Sequence, residues 1–226
     1  VIYSYLKKDE LLTLSFTGEE SQFIRLNNAK IRQTGLVNDA DIHMKMIANG
    51  RTCTGSFTLS GNDDIDAKRA GLEIERMRLE STQILEDPYL IIPKGSGSSR
   101  EIKKSNGLNF EDAVDAILPA IQGVDFVGIL SNGKMYRGNS NSLGQEHWFE
   151  TESFSLDYSL VATNHQMVKG TFAGTDWDQN EYEGYLKQSK KKLELMELPP
   201  VKVETGNYKT WFEPAAVSDF LGMFSW

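Results

Sequence analysis

At 226 residues the chain is long enough for one large domain or two small ones. A net charge of −8 and a pI near 5.0 argue against direct DNA or RNA binding, which needs a basic face to displace counterions. No run of about 18 apolar residues occurs, so no membrane span is expected, and the lone Cys53 cannot form an internal disulfide.

The hydrophobic content of 39% suffices for a core. The N-terminus (VIYSYLKK) carries no signal-peptide pattern, and with the unpaired cysteine this leads to an expected cytoplasmic location. It also lacks an initiator Met, so sequence upstream is to be expected.

Residues 11–17 (LLTLSFT) alternate as a strand. Residues 22–28 and 30–37 read as a hairpin around Asn27-Asn28, because Asn tolerates positive φ. Residues 42–48 and 52–59 form a second pair around Asn49-Gly50, the strongest hairpin signal in this half. Gly61-Asn62-Asp63-Asp64 then caps a helix expected over 64–85.

Residues 87–109 form a break. Pro88 and Pro93 are followed by a Gly/Ser run at 95–99 and by Lys103-Lys104-Ser105-Asn106-Gly107. A linker with a mobile stretch at 94–107 is the expectation, since such residues bury little apolar area to offset the entropy of ordering.

A short amphipathic helix is predicted over 110–122, with Asn109 as N-cap and Asp112 at N3. Strands follow at 124–131, 134–138, 146–152, 154–163 and 166–174, with hairpins at Asn132-Gly133 and Asn164-His165. Asp176-Trp177-Asp178 opens a second long helix, which Pro199-Pro200 stops near 197. A short strand over 207–212 and a last helix over 215–223, entered through Pro214, complete the chain.

The element order in the two halves is similar. The turn at residues 23–31 (FIRLNNAKI) aligns with that at 127–135 (VGILSNGKM), at a constant offset of 104 for both Asn28/Asn132 and Lys30/Lys134. The predicted class is therefore α+β: two similar units, each an antiparallel sheet packed with a long helix. The expected divisions are 1–86, a linker at 87–109, and 110–226.

Residues that could carry chemistry are few. Residues 128–135 nearly spell the phosphate loop G-x-x-x-x-G-K-[ST], but Met135 supplies no hydroxyl for Mg²⁺ and strand rather than helix follows. None of His43, His147 and His165 precedes a Glu in a helical H-E-x-x-H pattern. Glu146 and Glu150 flank His147, yet alternation on a strand points them away from its imidazole. Cys53 reads as a buried small side chain with Arg51 as its only local cation, short of a thiolate site. The serines at 96–99 lack G-x-S-x-G, and the lysines at 187–192 read as a solvated helix face. No catalytic, cofactor-binding or metal-ligating residue is therefore assigned.

Three stretches resemble the TldD/TldE family (TldD/PmbA, once named modulators of DNA gyrase). They are residues 23–35 (FIRLNNAKIRQTG), Gly50-Arg51 with Gly55, and residues 211–226 (WFEPAAVSDFLGMFSW). Two extra residues separate Arg51 from Gly55 compared with the family's G-R-x-G step. The resemblance implies a duplicated α+β N-terminal region within a zinc metallopeptidase that trims unfolded or modified peptides. The family's zinc helix, H-E-x-x-x-H, lies beyond the segment matched at 211–226, so no catalytic residue carries over. The chain then belongs either to a longer protein or to a TldE-like partner subunit without the zinc motif.

Two functions compete at this stage. One is a non-catalytic scaffold and substrate-channel region of a TldD/TldE-like peptidase, with zinc supplied by a catalytic half or partner subunit. The other is a free-standing module that binds an extended peptide by strand addition. Trp211, Phe212, Phe220, Leu221, Phe224 and Trp226 gather large apolar groups at one end, which implies self-association or a related TldD/TldE-type subunit.

Overall fold

The computed structural model describes residues 1–92 and 95–225; Pro93, Lys94 and Trp226 lie outside the described residues. Among the described residues, seven strands and four α-helices follow a short 3-10 turn at Ile2–Tyr5. They are β1 (Leu11–Asn27), β2 (Lys30–Ala48), β3 (Arg51–Thr58), α1 (Asp63–Ser81), β4 (Gly97–Lys103), α2 (Ala113–Ile121), β5 (Asp125–Asn141), β6 (Gln145–Val161), β7 (Met167–Gly174), α3 (Gln179–Met196) and α4 (Pro214–Gly222). The class is α+β, as expected. No helix among the described residues is long and apolar enough to cross a membrane.

All seven strands form one sheet, in the order β3-β2-β1-β5-β6-β4, with β7 also on β6. Each half supplies a meander and then a helix: β1-β2-β3-α1 and β5-β6-β7-α3. The meanders join through antiparallel pairing of β1 with β5, from Thr13↔Asn141 to Leu26↔Gly128.

The repeat of element order is real, but its spacing is not 104. Strand β5 begins and ends 114 residues after β1 (125 against 11, 141 against 27), and β7 begins 116 after β3. The helix N-caps Asn62 and Asp178 are also 116 apart. They share φ near −118° and ψ near 113°, and each side chain accepts from two backbone N–H groups of the first turn.

The 104-residue match fails because Asn132-Gly133 is no hairpin. These residues lie inside β5, where Gly133 pairs with Ser21 of β1 on one side and Ser153 of β6 on the other. Gly133 has φ +154°, and a Cβ there would fall on the Glu20 carbonyl oxygen and 2.5 Å from Ser21 Cα. It is needed for close approach of two backbones, not for a turn. The true β5–β6 turn lies at 142–144, where Asn141 Oδ1 accepts from the N–H groups of Leu143 and Gln145. The hairpins at Asn28, at Asn49-Gly50 and at Asn164-His165 stand as expected, with positive φ at Asn28, Asn49, Gly50 and His165.

Other boundaries differ locally. Segments expected as separate strands at 11–17 and 22–28 are one strand, as are 30–37 with 42–48, 124–131 with 134–138, and 146–152 with 154–163. The Gly/Ser run expected as a mobile loop supplies β4, whose residues 97–103 pair in parallel with Gln145–Thr151 of β6. Residues 207–212 are not a strand.

Side chains alternate on a strand, so Leu12, Leu14, Ile24 and Leu26 share one face of β1. The first two join a core with Met44, Met46, Ile74 and Met77, under α1. The last two join a larger core with Leu130, Leu156, Ile117, Tyr182 and Leu186, under α2 and α3. Both cores therefore lie on the same face of the sheet, at opposite ends of β1. The strip between them is open.

Candidate functional site

The strip between the two cores is floored by residues of the same alternation. Glu20 of β1 pairs with Lys134 of β5, which pairs with Glu152 of β6; beside them lie Tyr136 and its partner Glu150. Burial and then the charge of Glu20, followed by Glu150 and Glu152, push the Tyr136 phenol up to about 12. Neutral phenol is favoured there because an anion would join three carboxylates.

An aromatic group borders the strip. Phe16 stacks on Trp148 at 5.2 Å between ring centroids, Tyr136 lies 6.0 Å from Trp148, and the Arg100 guanidinium of β4 sits 5.9 Å above the indole. The indole N–H of Trp148 is buried and has no partner among the described residues. Nearby, a cleft of about 490 Å³ runs between the N-terminal turn and the β5–β6 hairpin, lined among others by Tyr3, Phe16, Ser140, His147 and Trp148. The Tyr3 hydroxyl lies 2.6 Å from Ser140 Oγ, and burial raises its pKa.

Two buried amides hold the loop that walls the strip. Asn132 Nδ2 donates to the Leu108 carbonyl at 2.7 Å, and Gln22 Nε2 donates to the Phe110 carbonyl at 3.5 Å. Gly107 packs against the Glu152 carboxylate.

The three histidines do not converge. His43 is in β2, His147 in β6, and His165 in the β6–β7 turn. His147 is fixed by a chain of amides. Asn141 Oδ1 accepts from backbone N–H groups, so its Nδ2 donates to Gln145 Oε1 at 2.9 Å. Gln145 Nε2 then faces His147 Nε2 at 3.0 Å, which makes that nitrogen the acceptor. The proton sits on Nδ1 and is donated to Ser99 Oγ at 2.7 Å. The Ser99–His147 contact is a hydrogen bond between β4 and β6. It pins β4 to β6.

Glu146 and Glu150 make no hydrogen bond to the imidazole, as alternation predicts. Among the described residues no three His, Cys, Asp or Glu side chains gather as a metal-binding group. The residues present do not fit a catalytic zinc.

Cys53 is buried under α1, and burial, aided by Glu80, raises its thiol pKa. The cation nearest in effect is Arg76 of α1, not Arg51. Arg51 instead donates to the Asn49 and Ile84 carbonyls and pairs with Glu86 at 3.2 Å. Residues 128–135 are sheet interior, paired with β1 on one side and β6 on the other.

No sequence-family profile matches the chain, and no curated relative matches it. Solved structures do. TldE from Thermococcus kodakarensis superposes with a TM-score of 0.62 at 14% identity, over 85% of this chain and 45% of that one. The chain has a TldE-like fold. A candidate modulator of a DNA gyrase from Thermotoga maritima gives 0.59 at 14% identity, over 83% and 46% of the two chains. A second, from Bacteroides thetaiotaomicron, gives 0.58 at 15%, over 92% and 51%. The chain thus spans about half the length of these TldE-like structures.

The aromatic and acidic strip, the amide pins and the His147 chain were not found by motif. Each depends on pairing between β1, β5, β6 and β4, which lie far apart in sequence.

Proposed function

We propose that this chain is the non-catalytic N-terminal scaffold and substrate-channel region of a TldD/TldE-like zinc peptidase, engaged in processing unfolded or modified peptides in the cytoplasm. The observation that carries this reading is the fold match: 83–92% of the chain is accounted for, yet it spans only 45–51% of each matched structure. The dispersed histidines support it, since hydrolysis needs a metal held by about three ligands near a base. In this reading zinc belongs to a catalytic half or to a partner subunit.

Association with a like or related subunit is part of the proposal. No residue from 201 to 225 is buried, and Trp211 is 88% exposed and Phe224 73%. Lys192 holds α4 at its start through Glu213, at 2.8 Å. Large apolar groups so exposed are suited to a partner surface.

The test combines residues 1–226 with a zinc-bearing TldD-type chain. Co-elution, with chelator-sensitive cleavage of unstructured peptides only in the mixture, is expected. Tight zinc and chelator-sensitive cleavage by residues 1–226 alone would overturn the reading. A free-standing peptide-binding module is the second reading, favoured by an edge of β2 that no strand pairs with among the described residues.

A further inference from the structure

The two meanders share a strand order but differ at one edge. In the second, β6 is covered twice along its outer side: β7 pairs with Phe154–Val161, and β4 with Gln145–Thr151. In the first, β3 pairs only with Asp41–Ala48 of β2. The next residue along, Ala40, has its carbonyl taken by the Leu59 N–H. Among the described residues no strand pairs with the outer side of 30–39. At the 114-residue spacing, the β6 segment 145–151 corresponds to residues 31–37 of β2. The stretch that β4 covers in one half is bare in the other.

This edge lacks the usual protection against pairing. Residues 33–38 (QTGLVN) contain no charge and no proline, and Leu36 is 76% exposed. Charges sit instead at its two ends. Lys30, Arg32 and the neighbouring Arg25 make the start basic; Asp39, Glu19 and Glu20 make the far end acidic. None of these six is in an ion pair among the described residues.

The filled edge shows how such a slot is read. Strand β4 runs parallel to β6, contributes main-chain pairing, and lays Arg100 and Lys103 over Trp148 and Phe149 of an acid-rich strand. We propose that residues 31–37 of β2 bind an extended peptide by strand addition, parallel to β2, with acidic residues toward the peptide's N-terminus and basic residues toward its C-terminus. The parallel direction is that of β4. It places the peptide's start beside Arg25, Lys30 and Arg32, and its end beside Asp39, Glu19 and Glu20. Recognition is mainly through the backbone, so it tolerates varied sequences, and the end charges set direction. The inference rests on the peptide-handling reading and gives it a place and a polarity.

The probe is a capped, fluorescein-labelled peptide, Glu-Glu-Thr-Val-Thr-Val-Thr-Lys-Lys, compared with the same composition in reversed order. Binding to residues 1–226 is followed by fluorescence polarisation, and the site by amide hydrogen exchange. The forward peptide is expected to bind at least about tenfold tighter than the reversed one, with protection at 31–37. N-methylation at alternate residues should weaken binding about tenfold or more in one frame and little in the other, because only one set of N–H groups faces the sheet. This readout leaves the protein's own folding untouched. The double variant Arg32→Glu/Asp39→Lys, which cuts the end charges from +3 and −3 to +1 and −1, should narrow the preference for the forward peptide. Equal binding of both peptides with no frame effect overturns the proposal. Protection elsewhere overturns this edge while leaving peptide handling intact, and absence of any binding overturns both. Protection of 31–37 that grows with protein concentration alone would give the edge to a second copy instead.

Discussion

Glu20 and Lys134 face each other across β1 and β5, and each is the tenth residue of its seventeen-residue strand. The pair therefore marks the point about which the two meanders exchange places. On one side of it lies the core under α1, on the other the core under α2 and α3. The open strip between the cores is centred on this pair.

Tyr136 reports on that strip. Its phenol is expected to titrate near 12 rather than at the ordinary 10.0, because burial and the Glu20 charge disfavour the phenolate. Ultraviolet difference titration, comparing the protein with its Tyr136→Phe variant, isolates this group. Glu20→Gln should move the transition down. A Tyr136 transition near 10 in the unsubstituted protein would contradict the described environment.

Arg78 and Glu10 tie the N-terminal segment to α1. The guanidinium makes two hydrogen bonds to the carboxylate, at 2.6 and 2.7 Å, and a third to the Tyr5 carbonyl. The two side chains are only 13% and 8% exposed. Glu10→Gln should cost about 2 kcal/mol at neutral pH, since it removes the more buried of the two carboxylates that pair with the guanidinium and leaves only Glu75. The Arg78 contact holds the Glu10 pKa below its ordinary 4.5. A depressed acid stabilises above its unfolded value and loses that contribution as pH falls through its folded one. Urea unfolding from pH 7 down past pH 4.5 should show an acid loss in the parent that is smaller in Glu10→Gln. Parallel curves for the two proteins would refute the assignment.

Two glycines should respond with opposite signs. Gly133→Ala places a methyl against the β1 backbone and is expected to cost about 3 kcal/mol or more. Gly184, inside α3, has nothing within 4 Å of an added Cβ. Gly184→Ala should stabilise by about 0.5–1 kcal/mol. Thermal melts of the two variants decide both, and a neutral Gly133→Ala would disprove the tight β1–β5 approach.

Asn132 should act on a loop far from it in sequence. Removing its donor leaves the buried Leu108 carbonyl unpaired, so Asn132→Ala is expected to cost about 2 kcal/mol. Limited proteolysis should then cut residues 104–112 faster than in the parent. Unchanged cutting with lost stability would mean that the loop has other anchors.

What the sequence made legible was local. Asn49-Gly50 announced a turn because both residues accept positive φ, and Asn62 and Asp178 announced helices because each side chain caps free N–H groups. Asn132-Gly133 carried the same turn chemistry and misled, because β1 and β6 on either side hold it extended. The Gly/Ser run at 95–99 read as loop, yet β6 offers it an edge and His147 pins Ser99. In both cases the deciding partner lies tens of residues away or more, beyond the reach of period and propensity. The bare edge of β2 was invisible for the same reason: an absent neighbour leaves no mark on the strand itself.

The β1–β5 seam also governs how the chain must fold. Its residues are separated by 102 positions at Leu26↔Gly128 and by 128 at Thr13↔Asn141. Each meander can zip from its own short turns, whereas the seam gains nothing until a loop of more than a hundred residues has closed. Assembly should therefore be slow at the last step, with two preformed halves each showing an unpaired central strand. During that interval β1 of one molecule meets the same complement in β5 of another, so refolding at high concentration should yield strand-exchanged dimers and dilute refolding should yield monomers.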